Sequence, residues 1–272
     1  MRLLLAGIRK LLFRPASWIT LGVLAGLMGL IFVAVGSRAD QLSNSPENAA
    51  ALQLVTFPVA YDAVLSFVVG LGGLLAVIFG AAVAGSEWTW GTLKNAVARG
   101  ESRTWYVVIS FGSVVVLLAV GVVLAFAAGV IAAFIGASIA GVPTDGLTDR
   151  ATLESLPATL LRGWFGIVEQ GALGFAIATL ARSQLAGIGA GIALYFGEQF
   201  STLFLPDVVK YLPFHVAQAA VGLTARAFGG DGGGGQAVAR LPSDVALLLV
   251  GTWLIGAVVV SALFTQRAEI TG

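Results

Sequence analysis

Residues 86–103 read SEWTWGTLKNAVARGESR. This polar stretch sits between two runs without a charged side chain, Ala63–Ser86 and Thr104–Thr144. A water-facing segment between long apolar runs is the pattern of a loop joining two membrane spans. Its spacing predicts a short helix lying across the membrane surface. Ser86 stands as N-cap, its hydroxyl accepting a free N–H of the first turn. Glu87 follows, where a negative charge meets the positive end of the helix dipole. Trp90, Leu93 and Val97 recur at helical spacing with Ala96 beside them, while Thr92, Lys94 and Asn95 fall on other faces. Gly100 is placed to end the helix. Trp88, Trp90 and Trp105 belong at headgroup depth. On spacing alone, the segment reads equally as a solvated interfacial helix without a partner and as a handle for a protein in water.

Composition sets the class around it. The chain of 272 residues is 58% hydrophobic and 11% charged, with a mean hydropathy of +0.94. Soluble domains carry about 25% charged residues, so the expectation is an all-α polytopic membrane protein. The 36 glycines suit close helix packing in lipid. With no cysteine, disulfides, thiolate metal sites and cysteine nucleophiles are excluded. A net charge of +1 without a basic tract gives no sign of nucleic acid.

Working outward, Arg2, Arg9, Lys10 and Arg14 accompany Leu4, Ile8, Leu11 and Leu12 on one helical face. Residues 1–16 therefore read as an amphipathic interfacial helix ended by Pro15. Ala34-Val35-Gly36 resembles a signal-peptide cleavage site, but the apolar region is too long and further spans follow. Six spans are expected, at about 17–36, 62–85, 104–140, 158–181, 183–205 and 244–265. The first contains Gly22-x-x-x-Gly26, a close-packing pattern. Residues 104–140 would extend roughly 55 Å as one helix, so they form either one tilted helix or two spans broken near Gly121 or Gly129. Residues 38–61 and 141–157 are connectors. Residues 206–243 form the longest external region, with a glycine-rich loop tip at 229–235.

Six spans place both termini on one side with nine of the 15 basic residues: Arg2, Arg9, Lys10, Arg14, Lys94, Arg99, Arg103, Arg182 and Arg267. Most acidic residues fall on the other side, which makes the first side cytoplasmic. The expected location is the cell membrane, multi-pass, with both termini inside.

Two acid–amide pairs lie within spans, Glu169-Gln170 and Glu198-Gln199. Counted from Arg182 they sit about 20 and 24 Å along their helices, at similar depth. Ionisable groups inside a membrane usually face a cavity or a partner. These four residues are candidates for a polar path or gate. They fit a structural role too, with Glu169 held by Arg162 or hydrogen-bonded as the acid between helices. His215 is the one histidine and reads as a loop or interface residue, not a metal ligand. Gly232–Gly235 lacks the lysine and spacing of a phosphate-binding loop. The chain has no HExxH and no persuasive Ser-His-Asp set. It is therefore read as a non-enzyme, with no cofactor or metal of its own.

Residues 86–103 resemble the cytoplasmic coupling region of type-2 ABC exporter permeases. That family places a Glu, then a Gly-Thr pair, then a basic and apolar helix closing in Arg-Gly-x-Ser-Arg or Arg-Pro-x-Ser-Arg. Here these are Glu87, Gly91-Thr92, Leu93-Lys94-Asn95 and Arg99-Gly100-Glu101-Ser102-Arg103. Glu101 departs from the pattern by adding a negative charge. The number and order of spans extend the resemblance over the chain, and the family's short external helices between spans 5 and 6 correspond to 206–243. The resemblance implies a separate cytoplasmic ATPase carrying ATP and Mg, and a second permease chain, identical or paralogous. It implies that Glu87, Trp90, Gly91, Thr92, Leu93, Lys94, Arg99 and Arg103 couple ATPase closure to an exporter's outer gate. Arg99 and Arg103 would serve equally to hold anionic lipid. Two other classes remain: an ion-coupled secondary transporter using Glu169 and Glu198, and a membrane scaffold or intramembrane enzyme.

Overall fold

The structure is a computed structural model that describes residues 2–39, 51–222 and 241–268. Among these residues it contains ten helices and no strand. They are α1 (Arg2–Leu12), α2 (Pro15–Ser37), α3 (Val59–Thr89), α4 (Thr92–Ala98), α5 (Arg103–Ala140), α6 (Arg150–Ala181), α7 (Gln184–Ser201), α8 (Pro206–Val209), α9 (Pro213–Val221) and α10 (Ser243–Arg267). Short 3-10 turns occur at Gln53–Val55 and Asp145–Thr148. The chain is an all-α polytopic membrane protein. Five helices, α2, α3, α5, α6 and α10, are long and apolar enough to cross a bilayer.

The expected span at 183–205 is α7, which is not among those five. Its 18 residues reach about 27 Å, but its C-terminal part carries Glu198 and Gln199. Its N-terminal half is packed closely on the central helices. Gly187 lies against Ala178 of α6, and Gly191 lies against Val77 of α3. Residues 104–140 form one unbroken helix of 38 residues with Arg103. Gly129 does not break it, because the space of its absent side chain is filled by Val64 and Met28.

α3 and α6 form the centre, running parallel and mostly buried: Gly163 lies against Leu65 and Val69, and Gly174 against Val77. Glycine sets their separation. A Cβ on Gly80 would strike the Gly171 carbonyl, and one on Gly174 would strike the Val77 carbonyl. α2 meets α5 in the same way, with Gly36 against Gly136. The expected packing pattern Gly22-x-x-x-Gly26 is not used within the chain, since both glycines face open space. Phe32, Met28, Val64 and Val68 fill one half of the core, and Phe79, Phe111 and Phe175 fill the other. α1 packs on α5 through the buried Leu11 and a Ser113 hydroxyl bond to the Leu4 carbonyl (3.4 Å).

Helix ends follow local chemistry. Ser102 caps α5 by accepting the Trp105 N–H (3.2 Å). Asp149 caps α6, accepting from the Thr152 hydroxyl (2.6 Å) and N–H (2.9 Å), and these bonds hold its carboxyl below the usual range. α6 starts at Arg150, inside the expected connector, and runs through Pro157. It ends at Arg182 in left-handed backbone (φ 51°), with Ser183 N–H bonding the Ala178 carbonyl (3.3 Å). The Arg182 guanidinium then lies over Trp88 (5.4 Å) and Phe264 (5.3 Å), tying three helix ends together.

In the region 206–243, α9 is inserted between α3, α6 and α10 with most of its side chains buried. The glycine run 229–235 and the acidic connector residues Asp40 and Glu47 lie outside the described residues.

Candidate functional sites at the α4 end and around Glu169

The surface helix forms, but at a different register from the expectation. α3 continues through Ser86 and Glu87 to Thr89. Ser86 is therefore no N-cap; its hydroxyl bonds the Val83 carbonyl in the same helix (2.8 Å). Glu87 lies in the last turn of α3, not in the first turn of the surface helix. The reversal falls at Gly91, whose φ of 65° opens the seven-residue α4. The predicted end holds: Gly100 has φ 90°, its N–H bonds Val97 (2.9 Å), and Glu101 N–H reaches Ala96 (3.2 Å). That pair of bonds is a Schellman closure.

Glu87 turns into the bundle and gathers four helices. Its carboxylate accepts from Lys10 Nζ of α1 (2.7 Å), from the Tyr106 hydroxyl of α5 (2.6 Å) and from the Thr92 hydroxyl of α4. A buried carboxylate needs such compensation. Beside it, Arg14 Nη1 donates to Ser86 Oγ (3.2 Å), and the guanidinium stacks over Trp90 at 5.0 Å. Lys10, Arg14 and Tyr106 escaped the sequence reading. The basic face of α1 was a signal for the first two, whereas nothing local marks Tyr106.

The other expected coupling residues separate into anchors and surface. Leu93 is buried and holds α4 against the bundle. Lys94 and Arg99 are exposed, and Trp90 is 62% exposed. Arg103 is half-buried, and its Nη1 donates to the Ala268 carbonyl (2.7 Å), so it clamps the end of α10. The surface that α4 presents is therefore Lys94, Asn95, Ala98 and Arg99.

The chain matches no protein-family model and no curated protein.

In the opposite half of the bundle, Glu169 is fully buried, and among the described residues neither carboxyl oxygen has a hydrogen-bond partner. Arg162 does not hold it. That guanidinium faces the start of α10, with Nη1 3.4 Å from Ser243 Oγ and Nη2 4.0 Å from Asp244. Glu198 lies near enough to act on Glu169 electrostatically. Glu198 itself is compensated: it accepts the N–H groups of Phe214 (3.2 Å) and His215 (2.7 Å) and meets His215 Nδ1 at 2.8 Å. It thus caps α9, a role visible only once α7 and α9 are brought together. His215 is an interface residue, as expected. Gln170 points elsewhere, against Gly73 of α3, with its Oε1 unpartnered. Gln199 is half-buried. The four expected path residues therefore do not form one patch. Glu169 and Glu198 are neighbours, and Gln170 belongs to the α3–α6 seam. Among the described residues no group of three or more His, Asp or Glu could hold a metal ion.

Proposed function

We propose that the chain is the membrane-spanning subunit of an ABC exporter. It forms the path for its substrate and is driven by a separate ATPase that carries ATP and Mg. The observation that carries this reading is the α3–α4–α5 hairpin. A short helix anchored by Leu93 presents Lys94 and Arg99 to water, and Glu87 welds it to α1, α3 and α5. Glu87 gives a push on α4 a direct route to α3 and α5, both of which run the length of the bundle. Nine basic residues lie at or beyond the helix ends on this side, including Arg14, Lys94, Arg99, Arg103, Arg182 and Arg267. Their clustering supports a cytoplasmic α4 end with both termini inside. α2, α5 and α10 leave most of their apolar surface uncovered, which suits a second permease chain and lipid.

The test is purification in mild detergent with the candidate ATPase. ATP hydrolysis that requires this chain, and is lost in Lys94→Glu/Arg99→Glu while the protein stays folded, supports the reading. Hydrolysis that is indifferent to the chain overturns it.

A second reading rests on Glu169, an intramembrane carboxyl without a partner. Such a group suits an ion-coupled secondary transporter. Substrate accumulation in vesicles under a proton or sodium gradient, without ATP and abolished by Glu169→Gln, would favour it over the ABC reading.

A further inference from the structure

A groove of about 100 Å3 lies between α2, α3 and α5, partly open on one side. Leu21 and Leu24 of α2, Gly72 and Leu75 of α3, and Leu118 and Gly121 of α5 line it. Its only hydroxyl-bearing walls, Ser17 and Thr20, are already committed to the Leu11 and Ala16 carbonyls (2.7 and 2.8 Å). The hydroxyl donors are thus occupied, and the rest of the lining that an occupant meets is almost entirely apolar. All three flanking helices are long and apolar enough to span a membrane, so the groove lies within hydrocarbon.

One end of the groove reaches Leu12, Ser17 and Trp18, where α1 turns into α2. That turn carries Arg9, Lys10 and Arg14, and the chain has no acidic residue before Asp40. Arg9 is exposed over Phe13 (5.9 Å), and Trp18 is 54% exposed at headgroup depth. Lys10 is answered by Glu87 and the Arg14 guanidinium is held by Ser86 and Trp90, whereas Arg9 is the exposed cation of the turn. The turn thus keeps positive charge beside a slot that accepts only hydrocarbon.

We propose that this groove holds one acyl chain of an anionic phospholipid whose headgroup lies over the α1–α2 turn. The chain supplies burial, at about 0.8 kcal/mol per CH2, and the basic turn selects the headgroup. The site would report the lipid leaflet to the same helix α1 that Lys10 ties to Glu87.

Gly121 makes the inference testable, because a Cβ there meets nothing within 4 Å. Gly121→Leu extends a side chain from a position where its Cβ is unobstructed, and it favours the helix. Purified protein in mild detergent is incubated with phosphatidylglycerol or phosphatidylcholine of identical chains, and retained lipid is counted by native mass spectrometry. Wild type is expected to keep one phosphatidylglycerol per chain. Gly121→Leu should bind it about tenfold more weakly, roughly 1.4 kcal/mol, with Gly121→Ala between them and unchanged melting in lipid-free detergent. Arg9→Gln should narrow the preference over phosphatidylcholine. Equal retention by wild type and Gly121→Leu, equal retention of both lipids, or a dimer that separates only in Gly121→Leu would overturn the assignment, the last by putting a second copy in the groove.

Discussion

Lys10 Nζ lies 2.7 Å from Glu87 Oε1, across 77 residues of sequence. The contact joins an N-terminal interfacial helix to the base of the α3–α5 hairpin. The two members are unequally exposed: the Glu87 side chain is 10% exposed and the Lys10 side chain 37%. Removing Glu87 strands the Tyr106 and Thr92 hydroxyls along with the ammonium. Removing Lys10 leaves the carboxylate two donors. Glu87→Ala should cost about 2–3 kcal/mol and Lys10→Ala about 1 kcal/mol. A double-mutant cycle by thermal melting in detergent should show a coupling of roughly 1 kcal/mol. Strict additivity would mean that the pair contributes nothing as a pair.

Gly91 and Gly100 test whether backbone hand, not space, shapes α4. Both have positive φ, and a Cβ on either meets nothing within 4 Å. Substitution therefore costs only the left-handed strain, roughly 1–2 kcal/mol for a β-branched residue and less for Asn. Gly91→Val should raise hydrogen exchange in residues 90–101 and reduce partner-dependent ATP hydrolysis. Gly91→Asn should leave both near wild type. Equal damage from the two would point to a side-chain clash instead.

The α3–α6 seam predicts a contrast among glycines. Gly174→Ala drives a methyl into the Val77 carbonyl and should destabilise by about 1–3 kcal/mol. Gly189 and Gly256 meet nothing within 4 Å. Alanine at those sites should be neutral, or stabilise by up to about 1 kcal/mol through helix propensity. Melting temperatures of the three variants decide it.

The two buried carboxyls should respond oppositely to neutralisation. Glu169→Gln breaks no hydrogen bond, so its folded yield and melting should match or exceed wild type. Glu198→Ala removes the acceptor for two N–H groups at the start of α9 and should cost about 2 kcal/mol. Loosening should be confined to α9 and the end of α7 in hydrogen exchange. A large stability loss in Glu169→Gln would show that its carboxylate has a partner in the assembled protein.

Much of this architecture was legible in residues 86–103 and their flanks. Membrane helices announce themselves because hydrocarbon admits only long apolar segments with internally paired backbones. The closing of α4 at Gly100 and the anchoring by Leu93 were equally local, resting on a left-handed turn and a 3.6-residue period. The start of α4 was misread because Ser86 and Glu87 suit a helix N-terminus by type. Buried on α3, they serve the same helix and its neighbours instead. No local preference distinguishes these outcomes, since the partners, Lys10 and Tyr106, come from elsewhere in the chain.

The sequence by itself determined that this chain is helical, spans a membrane, and keeps one polar hairpin between long apolar runs. These follow from side-chain transfer energies and backbone satisfaction, which are summed along the chain. Tertiary structure alone decided that residues 103–140 are one helix, because Val64 and Met28 fill the space at Gly129. It also decided that Glu87 is a weld, that Glu198 caps α9, and that Glu169 stands without a partner. Each depends on which side chain arrives from a distant helix, and in a close-packed bundle that choice is set by the fit of whole helix faces.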